Sequence, residues 1–311
     1  MRKKLLPVWL FVAFLGFCVL MGIRAPYKSA TAESYARAEC VVEVSSLRVL
    51  QEKNAETPLP NASTTKILTA IIVIDDCDLS EIVEIPSQAA GTEGSSIYLK
   101  AGENYTVEEL LYGLMLRSGN DAAVTLALHH SGSIEAFAQK MNEKATMLGA
   151  TDSYFVNPHG LPDKRHKTTA RDLALIAAYA VQNETFRTIV STKYYAPRGW
   201  LNKNKMLASY EGANGIKTGF TTDAGRCLVT SAERNGMTLV SVVLGCPQMY
   251  ERTAELLDSA FANYSLTQLA NCAMLPSNVG MPCVFCYPLR KDEFPLVRAE
   301  LHLSDPVLEK K

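Results

Sequence analysis

From Ile67 to Ile74 the sequence reads Ile-Leu-Thr-Ala-Ile-Ile-Val-Ile, apolar around almost the whole helical wheel. A helix greasy on every side is a helix buried on every side, so the chain must wrap a domain around it. The turn that heads this run, Ser63-Thr-Thr-Lys66, is polar. Burying such groups is costly unless they have partners or face a cleft. Residues three apart share a helix face, which brings the Ser63 hydroxyl and the Lys66 amine close enough for one to take the other's proton. Asn61 is placed to cap the new element, and Pro58 and Pro60 end whatever strand precedes it.

Two further short motifs follow in order, Ser118-Gly-Asn120 and Lys217-Thr-Gly219. Roughly one Ser-x-x-Lys and one Ser-x-Asn are expected by chance in a chain of this length, and a Lys-Thr-Gly far less often. The set therefore carries weight only where each member has a fitting structural context. Thr106-Val-Glu-Glu109 is a capping box opening a helix whose stripe is Val107, Leu110, Leu111, Leu114 and Met115. Ser118-Gly-Asn120 comes directly after it and occupies a bend. Helices are expected from Asp121 to Leu128, from Ile134 to Leu148 with Gly149 as the stop, and from Thr169 to about Val181.

Strands are expected at both ends of this helical stretch. Cys40–Val44 and Leu47–Leu50 flank Ser45-Ser46 as a hairpin. Cys227–Ser231 and Thr238–Leu244 flank Asn235-Gly236, a strong hairpin turn. Lys217-Thr-Gly219 lies on or beside the strand before that hairpin, at a sheet edge where an extended substrate can pair. Glu251–Asn263 reads as a closing helix. The fold class is α+β: an antiparallel sheet built from N- and C-terminal strands, with flanking helices, a helical insert and a cleft between the two parts.

Length and charge set outer limits. The 311 residues suit one large domain with a small appendage, and a net charge of −1 without a basic block beyond the first four residues gives no footprint for nucleic acid. Met1-Arg-Lys-Lys4, the apolar run Leu5–Ile23 and Ala30-Thr-Ala32 form a signal-peptide pattern over residues 1–32, with an uncleaved membrane anchor as the alternative. Both place the remainder outside the cytoplasm. Residues 33–265 are the expected main domain, and 266–311 a short extension poor in periodicity. Of eight cysteines, Cys227 and Cys246 read as core. Cys272, Cys283 and Cys286 suit a disulfide or a metal site, but no fourth ligand stands at a convincing spacing, so neither metal nor cofactor is expected.

The three motifs resemble the Ser-x-x-Lys, Ser-x-Asn, Lys-Thr-Gly set of enzymes that attack peptidoglycan peptides and penicillins. The likeness is to the low-molecular-mass penicillin-binding proteins of the D-alanyl-D-alanine carboxypeptidase type. It spans about Cys40 to Tyr264 and includes Gly91–Gly102, Thr106–Leu111, Leu116–Ala123, Asn157-Pro-His-Gly-Leu161, Thr168–Ala174 and Gly215–Gly225. It implies a peptidoglycan stem peptide ending in D-Ala-D-Ala as substrate and β-lactams as inhibitors. Ser63 is then the nucleophile and Lys66 its base, the latter needing a pKa lowered by burial and by Lys217. The resemblance implies that Ser118 relays a proton to the leaving amine and that Asn120 holds the substrate amide. Lys217 and Thr218 meet the terminal carboxylate, and Gly219 lets the backbone approach. The amides of Ser63 and Phe220 form the oxyanion hole. Arg252, at the family's spacing from Lys217, is expected on the same carboxylate. Lys203 is a further cleft candidate, while His159 and His166 read as loop residues without a base's role.

Two departures stand out. The tail is too short for both the β-rich second domain and the terminal amphipathic helix that many relatives carry, and Phe220 stands where some have histidine. A class A β-lactamase shares the motifs but also uses a glutamate to activate the deacylating water, and no glutamate lies between Thr151 and Asp172. A D,D-transpeptidase and a non-catalytic penicillin-sensing protein remain as alternatives.

Overall fold

The structure, a computed structural model, describes residues 36–271 and 284–295. The N-terminal apolar segment, Cys18, Cys272 and Cys283 lie outside the described residues.

The chain begins with the hairpin β1 (Ala38–Glu43) and β2 (Val49–Lys53). A 3₁₀ turn, Ala62–Thr65, leads into α1 (Lys66–Asp76). Next come β3 (Ile82–Glu84), β4 (Asn104–Thr106), α2 (Val107–Tyr112) and a π-turn over Gly113–Arg117. Helices α3 (Asn120–Ser131), α4 (Ile134–Met147), α5 (Ala170–Ala180) and α6 (Glu184–Ser191) complete the helical insert. After β5 (Tyr194–Tyr195), β6 (Trp200–Leu201) and α7 (Met206–Ser209), the chain returns as β7 (Lys217–Thr221), β8 (Gly225–Arg234) and β9 (Met237–Leu244). Helix α8 (Met249–Asn263) precedes β10 (Tyr264–Asn271) and β11 (Val284–Arg290).

The main sheet is antiparallel, in the order β2-β1-β9-β8-β7, so N-terminal strands lie against C-terminal ones as the sequence implies. Asn235 and Gly236 both adopt positive φ, 51° and 75°, the turn that matches strand twist. Side chains alternate between the two faces. Cys40, Val42, Val229, Val240 and Val242 pack into the core shared with the helical insert, whereas Val41, Leu228, Leu239 and Val243 pack with Leu256, Leu257 and Ala260 of α8.

Helix α1 runs through the middle of the helical side, against α3, α4, α5 and α6. Residues Lys66 to Val73 are all buried. Each of Ile67, Leu68, Ile71 and Ile72 contributes about 2 kcal/mol of gross burial energy, which fixes the helix, and the turn heading it, as a rigid post. The capping box at Thr106 forms in both directions, with Glu109 N–H donating to Thr106 Oγ1 and Thr106 N–H to Glu109 Oε2, each at 3.1 Å.

One expectation needs correction. Asn61 does not cap with its side chain: its Nδ2 donates to the hydroxyls of Thr64 and Thr65, at 3.2 and 3.0 Å, and its Oδ1 has no protein partner. In the described part of the extension, β10 and β11 pair from Tyr264↔Arg290 to Asn271↔Val284. Pro288 within β11 hides this strand from a period-two search. Its loop end rests on Arg48, which forms a bidentate pair with Glu293 at 2.6 and 2.9 Å and lies 5.3 Å from the ring centroids of both Tyr264 and Tyr287. His166 lies in a loop, as its sequence setting implies, and is only 3% exposed.

Candidate active site

The site starts from the 3₁₀ turn. With three residues per turn, positions i and i+3 eclipse, so Ser63 and Lys66 stand one above the other. Lys66 Nζ lies 3.1 Å from Ser63 Oγ and donates to Asn120 Oδ1 at 2.6 Å and to the main-chain oxygen of His159 at 2.8 Å. Lys66 is fully buried, whereas Ser63 is partly open to solvent. Ala62, just before Ser63, holds φ 49°, a conformation costly for a residue with a Cβ and stored next to the reactive hydroxyl.

The Ser118-Gly-Asn120 bend forms the second wall. Ser118 ends the π-turn in the left-handed region, φ 65°, and is 4% exposed. Asn120 opens α3 and is gripped from both sides. Its main-chain N–H donates to Ser95 O at 2.7 Å and its Nδ2 to Glu93 O at 2.6 Å, which leaves Oδ1 aimed at Lys66. The loop supplying those carbonyls is pinned by Asp121, fully buried, which accepts from Ser96 Oγ and from the amides of Ile97 and Leu99 at 2.6 to 3.1 Å.

Strand β7 is the third wall and an edge of the sheet. A Cβ on Gly219 would sit 3.1 Å from the amide nitrogen of Ser63 and 3.1 Å from Asn61 O, so glycine is what lets the strand close on the turn. Lys217 is 1% exposed and donates to Thr218 O at 2.9 Å. Thr218 is half-buried and Phe220 is 64% exposed at the cleft's rim. Lys203 is exposed, 3.3 Å from Ser95 Oγ.

These lysines set the site's electrostatics. Burial, then the nearby charges of Lys217 and Lys203, hold the Lys66 amine well below the usual lysine range, with Asp121 pulling the other way. Burial, then Lys203, lowers Lys217 to about 7. A neutral amine beside a hydroxyl is a base within reach of its proton. Both histidines behind the turn are neutral as well: burial and then Lys66 bring His159 to about 3, and burial brings His166 to about 4.

Ser63, Lys66, Asn120, Lys217 and Gly219 are thus gathered around one turn, with Ser118, Thr218 and Phe220 on the elements that carry them. Arg252 is not among them. Its guanidinium forms a bidentate pair with Glu39 at 2.6 and 3.0 Å and a second contact with Glu255 at 2.9 Å. Glu39 shares a row with Val243 and Leu228 on the α8 side of the sheet, while Lys217 shares a row with Val229, Val242 and Cys40 on the helical-insert side. Three strand spacings, about 14 Å, separate β1 from β7. Equal spacing along the sequence did not place Arg252 on the right face. Sequence reasoning also missed Thr65, His166 and the carbonyls of Glu93 and His159, for which a polar residue at the head of a buried helix was the available signal.

The family model of D-alanyl-D-alanine carboxypeptidases, peptidase family S11, matches residues 25–248. The chain belongs to this family. Among curated relatives of the D-alanyl-D-alanine carboxypeptidases, DacF of Bacillus subtilis is 36% identical over 244 residues, covering 74% of this chain and 63% of its own length. The chain thus spans less than two thirds of that relative. Penicillin-binding protein 6B of Escherichia coli superposes with a TM-score of 0.76 at 27% identity, over 88% of this chain and 89% of that one. A mutant of a Streptomyces DD-transpeptidase superposes with a TM-score of 0.71 at 33% identity, over 75% and 100%. The antiparallel sheet with its helical insert is the fold the chain shares with these penicillin-binding-protein and transpeptidase structures.

Proposed function

We propose that this chain removes the terminal D-alanine from peptidoglycan stem peptides through an acyl-enzyme on Ser63, and that penicillins acylate the same hydroxyl. The observation that carries the reading is the 3.1 Å contact between Ser63 Oγ and a Lys66 amine kept uncharged by burial. Ser63 Oγ attacks the carbonyl between the two D-alanines while its proton passes to Lys66 Nζ. The amides of Ser63 and Phe220 receive the developing oxyanion. On collapse the C–N bond breaks, and Ser118 hands its proton to the departing amine while receiving the one that Lys66 took from Ser63. Asn120, fixed by Glu93 and Ser95 carbonyls, orients both Lys66 and the substrate amide. Water then cleaves the Ser63 ester and releases the shortened peptide.

Lys217 and Thr218 are assigned to the terminal carboxylate, with Lys203 as the cation beside them; Arg252, committed to Glu39, has a structural role instead. Peptidoglycan lies outside the cytoplasm, and residues 1–32 are assigned to export of the chain. Among the described residues no helix is long and apolar enough to cross a membrane.

Intact-mass measurement after exposure to benzylpenicillin tests the reading. Wild type gains one penicilloyl adduct and Ser63→Ala gains none; an adduct on Ser63→Ala would sink it. The likeness to a DD-transpeptidase supports a second reading, in which an amine replaces water as the acceptor. Product analysis with a D-Ala-D-Ala peptide separates the two: added glycine leaves free D-alanine and shortened peptide as the products of a carboxypeptidase, and yields a glycine-capped peptide from a transpeptidase.

A further inference from the structure

Behind the catalytic turn lies a buried histidine that the mechanism does not use. His166 Nδ1 accepts the main-chain N–H of Val156 at 3.2 Å, so the ring proton sits on Nε2. That nitrogen is 2.8 Å from Thr65 Oγ1, and Nε2–H therefore donates to the hydroxyl. Thr65 is fully buried, adjoins Lys66, and accepts a second bond from Asn61 Nδ2 at 3.0 Å. The ring is further seated edge-on against Phe155, 5.4 Å between centroids.

The same loop touches the turn at three other points. His159 O accepts from Lys66 Nζ, Pro158 O accepts from Thr69 Oγ1 at 2.7 Å, and a Cβ on Gly160 would clash with Ala62 O. Of these contacts, the His166–Thr65 bond is the one between two side chains that takes no part in the chemistry. Thr65 is one of the two residues between Ser63 and Lys66 and adjoins Lys66, so fixing its side chain helps fix the rotation of the turn that faces the two reactive groups toward each other.

We propose that His166 is a positioning residue for the reaction: by donating Nε2–H to Thr65 it holds the Ser63–Lys66 turn in its attacking geometry. The proposal rests on Ser63 being the nucleophile. Misplacing reacting groups by an ångström is worth up to about a hundredfold in rate. Binding, which uses the cleft's other walls, is left alone.

The test is the acylation rate constant and the dissociation constant of the preceding non-covalent complex with benzylpenicillin, for wild type, His166→Ala, His166→Gln and His166→Asn, alongside each protein's melting temperature. A glutamine amide nitrogen can reach the position of Nε2, while the shorter asparagine reaches only that of Nδ1. We expect Ala and Asn to lower the acylation constant about tenfold or more, with Gln restoring most of it and the dissociation constant unchanged throughout. Equal losses in all three variants that follow their melting temperatures, or wild-type acylation by His166→Ala, would overturn the proposal. If His166→Ala does not fold, Thr65→Val against Thr65→Ser asks the same question, and equal rates for those two would overturn it. Ser63→Ala run in parallel keeps the two claims apart, because an adduct there removes the nucleophile assignment, whereas flat His166 rates with no adduct on Ser63→Ala remove only the brace.

Discussion

Among the described residues, two regions that shield cations from solvent treat them in opposite ways. On the α8 side of the sheet, Arg252 faces Glu39 with side chains 12% and 5% exposed, and Arg48 faces Glu293 at 17% and 12%. Each guanidinium has a carboxylate in bidentate geometry and is held firmly charged. In the cleft, Lys66 and Lys217 are buried at least as deeply, yet the acceptors described around them are neutral oxygens: Ser63 Oγ, Asn120 Oδ1, His159 O and Thr218 O. Their charges are disfavoured, first by burial and then by other lysines. The first arrangement stabilises a structure; the second stores reactivity. Placing a cation inside a protein says little until its counter-charge is located.

The largest effect that would break this contrast is in Lys66→Arg. A guanidinium is always protonated and cannot act as base, so acylation by penicillin should fall by about a thousandfold while the fold survives. Near-normal acylation would mean that the neutral amine is not the base. Next comes Arg252→Ala, which leaves the Glu39 carboxylate buried without its guanidinium. We expect a loss of about 3 kcal/mol in urea unfolding, with the Ser63 acylation rate unchanged. A raised KM for substrate with stability retained would instead return Arg252 to the cleft and contradict the two-face assignment.

The smallest effect is in pH dependence. Lys66 must be neutral, so kcat/KM rises as pH climbs through its lowered pKa. Lys217 must be charged to receive a carboxylate, so kcat/KM falls again as pH passes about 7 in the free enzyme. Lys203 lowers both amines, and Lys203→Gln should therefore move both limbs to higher pH. Because Lys203 is solvent-exposed, the shift should be below about one unit and shrink with added salt. Limbs that stay in place would show that Lys203 sets neither lysine.

Much of this was legible in the residues themselves. The Asn235-Gly236 turn, the Thr106 capping box, the buried α1 run and the edge position of Lys217-Thr-Gly219 each rest on local physics, and local physics is what a sequence displays. Where a contact depended on which face of a sheet a side chain met, as for Arg252, spacing along the chain was silent. The same holds for Thr65 and His166, joined across 101 positions by a single hydrogen bond. The strand containing Pro288 was hidden for another reason, since its pairing with β10 tolerates a residue that most ladders exclude.

An edge strand kept available for a peptide is also available to any other chain with a free strand, including a neighbour of the same kind. β7 limits that hazard in three ways: it is five residues long, carries a glycine at its centre, and sets the guanidinium of Arg226 over the exposed ring of Phe220 at 5.7 Å. A short, interrupted, positively guarded rim admits a small anionic guest more readily than a long polypeptide partner. On the proposed function, this guard against self-association lies on the same strand that would receive the substrate.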